Sequence, residues 1–283
     1  MSESSLVSVS WLRANIEAPG IALLDASWHM PATGRSAREE HRSKALPGAR
    51  FFDIEAVADT TSSLPHTCPS EDQFAEAVTR LGVNNNDFVV VYDSAGLFSA
   101  PRAWWLFRLF GHQRVAVLDG GLPAWEAAGL PLQSGAEAEP SDPPFVARHN
   151  PALVASHEAV VQAVASGDSR ILDARSPGRF TGEQPEPRPE LSSGHMPGAE
   201  NVPFNTLLGD GGHCLRPKAE LAERFAAHLP ETGVPVITSC GSGVTACVLA
   251  LALSELGIAA QVYDGSWTEW ATRCPDQILR VET

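Results

Sequence analysis

The sequence predicts an α/β protein of two tandem domains, each a mostly parallel sheet flanked by helices. Three observations carry this expectation: the chain repeats itself, its apolar runs have strand length, and such runs are followed by helical patterns closed by glycine. At 283 residues it is long for one domain and sufficient for two, each with its own core.

The repeat is read from four matches in the same order. Leu-Leu-Asp-Ala-Ser at 23–27 answers Leu-Asp-Ala-Arg at 172–175, which pairs Asp25 with Asp173. Leu-Pro-Gly-Ala at 46–49 answers Met-Pro-Gly-Ala at 196–199. Val-Val-Val-Tyr-Asp-Ser-Ala-Gly at 89–96 answers Val-Ile-Thr-Ser-Cys-Gly-Ser-Gly at 236–243. Leu-Asp-Gly-Gly-Leu-Pro-Ala-Trp at 118–125 answers Tyr-Asp-Gly-Ser-Trp-Thr-Glu-Trp at 263–270.

Within the first copy, Phe88 to Tyr92 is a continuous apolar run, as a parallel strand buried on both faces requires. Pro101 to Phe110 reads as a helix, with proline in its first turn and Gly111 at its end. Arg114 to Leu118 is the next strand. The second copy repeats the order: a strand from Val236 to Ser239, a helix from about Thr245 to Leu256 closed by Gly257, and a strand from Ala259 to Tyr263. Strand, helix and parallel strand make a right-handed βαβ unit. Between the copies, 134–144 is rich in proline, serine and acidic residues and reads as a linker with little core of its own. The expected division is therefore 1–133, a linker over 134–150, and 151–283. Trp125 and Trp270 are expected core anchors, and the Asp119 and Asp264 segments are expected turns and helix caps.

A hydrophobic share of 43% and a charged share of 19% belong to a globular chain. The net charge of −14 argues against a nucleic acid or an anionic membrane as partner. The N-terminus lacks a signal-peptide pattern, and the longest apolar run, 246–253, is too short to span a bilayer. Five widely spaced cysteines form no Cys-x-x-Cys pair and no zinc-ligand spacing, so free thiols, a cytoplasmic location and no metal or cofactor are expected.

One cysteine stands apart. Cys240 follows an apolar strand and opens the turn Gly241, Ser242, Gly243, Val244, Thr245. Buried cysteine packs well, and glycines make bends, which is one reading. The other rests on position: ligands of such units lie at the carboxyl ends of strands, where loop amides and a helix N-terminus lower a thiol's pKa and expose a nucleophile. The repeat places Asp93 at the matching position of the first copy, where that chemistry is not available. Cys247 falls on the same helix and reads as packing, while Cys68, Cys214 and Cys274 have no recognisable context.

Cys-Gly-Ser-Gly-Val-Thr, in the second of two rhodanese-like repeats, closely resembles the active loop of the 3-mercaptopyruvate sulfurtransferases. The resemblance extends over nearly the whole chain through both Pro-Gly-Ala segments and the Asp-Gly-Gly and Asp-Gly-Ser segments. It implies that the Cys240 thiolate takes the sulfur of 3-mercaptopyruvate, releases pyruvate, and passes the sulfur to a thiol acceptor such as thioredoxin, or to cyanide. The amides of 241–245 would then stabilise the anionic sulfur. Related thiosulfate sulfurtransferases carry basic residues directly after the cysteine, and this loop has none. That favours 3-mercaptopyruvate, with thiosulfate as the alternative donor.

Two arginines in the proline-rich segment 179–188 read, by themselves, as solvated surface cations. The resemblance implies instead that Arg179 and Arg188 bind the carboxylate and carbonyl of the substrate, for which guanidinium geometry is suited. Ser242 has two readings as well: a cap for the following helix, or, by the resemblance, one member of a Ser–His–acid proton relay with His66 and Glu55. The family shows aspartate at the Glu55 position in some members. Such a relay draws on the first repeat and sets the active site between the repeats. His195 reads as a structural residue orienting the turn before a strand. Two rivals remain beside the enzyme reading. A cysteine phosphatase needs arginine where Ala246 stands, and a noncatalytic persulfide carrier would not need both arginines.

Overall fold

The computed structural model describes residues 4–229 and 233–281. Its first sheet comprises β1 (Leu6–Val7), β2 (Ile21–Asp25), β3 (Arg50–Phe51), β4 (Phe88–Tyr92) and β5 (Val115–Leu118). Its second comprises β6 (Val154–Ala155), β7 (Arg170–Asp173), β8 (Ala199–Asn201), β9 (Val236–Ser239) and β10 (Gln261–Tyr263). The order is β1-β5-β4-β2-β3 in one and β6-β10-β9-β7-β8 in the other. Every pairing is parallel. The same order in both sheets is the structural form of the sequence repeat. Parallel strands need covering on both faces, which explains why Val89 to Tyr92 and Val236 to Ser239 are buried without alternation.

The first repeat supplies helices α1 (Val9–Asn15), α2 (Ala37–Ser43), α3 (Glu71–Arg80), α4 (Ala100–Leu109) and α5 (Gly121–Ala127). The second supplies α6 (His157–Ser166), α7 (Pro177–Thr181), α8 (Lys218–Ala226), α9 (Ala246–Glu255) and α10 (Ser266–Arg273). Serines at the starts of α1, α3 and α6 accept the third amide of each helix, and Ser70 of α3 completes a reciprocal capping box with Gln73. Helix α9 is apolar all round and buried along nearly its whole length, as a helix sandwiched in a core must be. Trp125 anchors the first core, with Leu23, Val90 and Leu118. Trp267 and Trp270 anchor the second, with Ile171 and Ile237. Element ends fall within a residue or two of the expected ones, where helices fray.

Two compact units follow the repeat with two departures from it. The first unit holds Met1–Thr60, Cys68–Asn150 and Leu208–Leu215; the second holds Thr61–Thr67, Pro151–Leu207 and Arg216–Thr283. His66 thus packs with the second unit, although it stands in the first copy of the sequence. The segment 134–150, expected as a linker, packs as part of the first unit. Its Ala136 and Ser141 amides donate to the carbonyls of Ala49 and Thr79, and its Phe145 ring lies buried against Phe74 and Phe107. Polar composition concealed one buried aromatic and the extended backbone pairing that holds it. No described helix is long and apolar enough to cross a membrane.

Candidate active site

The loop after β9 is tied down by the start of α10, where the Thr268 hydroxyl donates to the Gly241 carbonyl at 2.7 Å. The Trp267 amide donates to the Cys240 carbonyl (2.9 Å) and the Thr268 amide to the Gly241 carbonyl (3.0 Å), so the first turn of α10 spends its free amides on this loop. The Ser266 hydroxyl accepts the Cys240 and Gly243 amides, each at 3.1 Å, and donates to the Tyr263 carbonyl at 2.8 Å. Gly243 has φ +78°, the left-handed conformation that glycine adopts without steric cost. Ser266 is fully buried and also left-handed, at φ +49°, which is uncommon for a residue with a Cβ.

Cys240 itself is buried and not disulfide-bonded. The amides of Ser242 and Thr245 meet no acceptor among the described residues. The first unit displays what this loop geometry attracts. There Asp93 occupies the Cys240 position, and its carboxylate accepts five backbone N–H groups: Ala95 (2.9 Å), Gly96 (2.8 Å), Phe98 (2.9 Å), Ser99 (2.9 Å) and Ala100 (2.7 Å). Such convergent amides form an anion cradle. In the first unit the chain's own carboxylate fills it.

Ser242 is buried, and its Oγ lies 3.0 Å from His66 Nδ1. His66 is buried with φ +59°, so the turn holds it in a conformation that few non-glycine residues take. Ser242 does not cap α9: that helix begins at Ala246 without a side-chain cap. Glu55 is exposed in the first unit, where its carboxylate accepts the Trp28 indole N–H at 2.9 Å.

Arg179, on α7, rests its guanidinium against the loop. A Cβ on Gly241 would stand 2.9 Å from Arg179 Nη2, so glycine at 241 is what leaves the arginine room. The buried Glu186 orients it, accepting from Arg179 Nη2 at 2.5 Å and Nε at 3.1 Å. Glu186 also accepts from the buried Arg175 Nη1 at 2.9 Å. Arg175 in turn pairs with Asp173 and lies 4.1 Å over the Trp267 ring. The two flanking carboxylates hold the Arg175 guanidinium more firmly protonated against the opposing cost of its burial. Arg188 is partly exposed, and its guanidinium makes no hydrogen bond or ion pair among the described residues. His195 accepts or donates no proton at the loop: its Nδ1 bonds the Phe180 carbonyl at 2.9 Å and its ring stacks on Phe180, the neighbour of Arg179.

Val244 is buried and Thr245 partly exposed on the loop. Cys247 sits under it, buried, its thiol donating to the Gly243 carbonyl at 3.2 Å. The Asp119 segment is the turn before α5, capped at Gly120, and the Asp119 carboxylate accepts the Leu215 amide at 2.8 Å. The sequence reading missed Ser266, Arg175 and Glu186. For Ser266 a signal existed: the repeat sets it against Gly121, so Asp-Gly-Ser differs from Asp-Gly-Gly at the residue that holds the loop. Among the described residues no group of three histidine, cysteine or acidic side chains is placed to hold a metal ion.

The duplicated parallel sheets and the cysteine loop at a strand end define a class, and sequence comparison agrees. The rhodanese-like domain matches residues 8–128 and 156–273, and the chain belongs to that family. Within it, the chain is 41% identical to human 3-mercaptopyruvate sulfurtransferase, over 97% of this chain and 95% of the human one. It is 42% identical to the Arabidopsis thaliana mitochondrial protein named thiosulfate/3-mercaptopyruvate sulfurtransferase 1, over 98% of this chain and 79% of the relative. The crystal structure of Escherichia coli SseA, a 3-mercaptopyruvate sulfotransferase, superimposes with a TM-score of 0.85 at 40% identity, covering 94% of this chain and 99% of the other.

Proposed function

We infer that the chain is a 3-mercaptopyruvate sulfurtransferase that works through a persulfide on Cys240. The observation that carries this reading is the loop itself, a cysteine in a cradle whose counterpart in the first repeat binds a carboxylate through five amides. The Cys240 thiolate attacks the substrate sulfur. An S–S bond forms, the C–S bond breaks, and its electron pair leaves on carbon as the enolate of pyruvate, which a proton converts to pyruvate. Loop amides stabilise the anionic sulfur before and after transfer. The hydrogen bond between Ser242 and His66 supports a path for the substrate thiol proton.

Donor choice follows from where cations stand. Residues 241–245 carry none, while the Arg179 guanidinium stands where a Cβ at 241 would meet it and the Arg188 guanidinium has no partner among the described residues. That pattern suits a keto acid whose carboxylate lies a molecule's length from its sulfur. A thiol, such as that of thioredoxin, or cyanide then takes the outer sulfur. The free cysteines fit a reducing compartment, and a cytoplasmic location is part of the reading.

The test compares sulfur transfer to cyanide from 3-mercaptopyruvate and from thiosulfate, since the Arabidopsis relative is named for both donors. The expected outcome is strong preference for 3-mercaptopyruvate, pyruvate as co-product, and no turnover by Cys240→Ser. Preference for thiosulfate would overturn the donor assignment, and full activity in the variant would overturn the nucleophile.

A further inference from the structure

The first unit contains a cavity of about 180 Å³ lined by Arg38, His41, Arg42, Arg50, Phe51, Leu81 and the segment 135–138. Three arginines around one small cavity are unexpected in a chain whose net charge is −14 and which has only 20 lysines and arginines. Their arrangement is set by two elements. Arg38, His41 and Arg42 recur at helical spacing on α2 and so share one face, and Arg50 enters from β3. Arg38 and Arg42 are like charges four apart on this face; Asp53 answers Arg38, and Arg42 has no such partner among the described residues.

The protein compensates these cations only in part. Arg38 pairs with Asp53 at 2.7 Å and stacks over Phe51. Arg42 and Arg50 make no ion pair among the described residues. Arg50 is half-buried and gives Nη1–H to the Leu81 carbonyl at 2.5 Å; burial lowers its pKa, and the negative charge of Asp87 offsets only part of that cost. His41 is buried; its Nδ1 bonds Asp25 at 2.9 Å, and its Nε2 has no partner. The acid that lines the cavity, Glu137, is exposed.

We propose that this cavity is a binding site for a small doubly charged oxyanion of the phosphate or sulfate type, held by Arg38, Arg42 and Arg50. Guanidinium groups from two directions match the oxygens of a tetrahedral anion. The cavity is below the size range of drug-sized ligands, so a single oxyanion group is what it accommodates. The site is separate from the proposed sulfur chemistry, and none of its residues serves that reading.

Calorimetric titration of the intact chain with inorganic phosphate, at low ionic strength, tests the site. One saturable event is expected, weakened at least about tenfold by Arg42→Ala and by Arg50→Gln, and largely restored by Arg42→Lys. Arg42 is exposed, so its alanine variant should fold, and unfolding curves without phosphate verify that. Arg188→Ala should bind phosphate as the parent does, and Arg42→Ala should transfer sulfur as the parent does. A parallel titration with phenyl phosphate separates sources. Equal binding assigns the site to a phosphoryl group of a larger molecule, and binding of inorganic phosphate alone assigns it to the free ion. No saturable binding would overturn the proposal. So would binding that Arg188→Ala abolishes and Arg42→Ala leaves intact, because the ion would then occupy the proposed substrate site.

Discussion

Asp93 and Cys240 close equivalent loops, and the difference between them is what each loop is left to bind. A carboxylate satisfies five amides from within. A cysteine side chain is shorter and brings a sulfur that gains charge only on ionisation. Holding the second loop open in the same shape requires another group, and Ser266 supplies it by accepting the Cys240 and Gly243 amides. Ser266→Ala removes the hydroxyl that accepts two buried amides and should cost about 2 kcal/mol of stability in urea denaturation. Ser266→Gly removes the same hydroxyl and relieves the left-handed backbone, recovering about 1 kcal/mol of that loss. Sulfur transfer should fall in both variants alike, which assigns the effect to the hydroxyl rather than to the strain.

At the scale of elements, the site depends on what stands behind it. Helix α9 begins where the loop ends, and its Ala-Cys-Val-Leu-Ala-Leu-Ala-Leu run was legible as a helix because Gly257 closes it and no polar face interrupts it. Leu249, fully buried at its centre, touches no reacting group in the proposed mechanism. Leu249→Ala should therefore lower stability by about 2–5 kcal/mol, measured by chemical denaturation, while the folded fraction keeps its turnover at low temperature. The strands β4 and β9 were equally legible, since an unbroken apolar run of their length has few other uses in a βαβ pattern. The short strands β1, β3 and β6 were not. Two residues carry no periodicity, and only pairing to a neighbouring strand makes them strands.

Over the whole molecule, stability has a pH dependence that one buried histidine exposes. His112 packs on Phe107 and Phe145, and its Nε2 bonds the Arg114 carbonyl at 3.1 Å. Burial lowers its pKa below 6.5, so the unfolded chain binds its proton more readily than the folded one. The stabilisation is fully present above the unfolded-state value near 6.5 and is lost as the pH falls through the folded-state value. Midpoints of urea unfolding between pH 8 and pH 5 should decline on the acid side, and His112→Gln should flatten that decline.

The sequence by itself determined the duplication, the α/β class, the central strands and the cysteine that distinguishes the second loop, because all of these are written in local period and in self-comparison. The likeness of its loop to a known family supplied Arg179, Arg188, His66 and Ser242 as candidates. Only the tertiary structure decided that His66 bonds a serine 176 residues away, that Glu186 holds Arg175 and Arg179 together, that Ser266 ties down the loop, and that 134–150 is part of a core. Those are contacts between segments distant in sequence. Their partners share no periodicity, and nothing in either segment alone states which distant group will satisfy its hydrogen bonds or cover its apolar face.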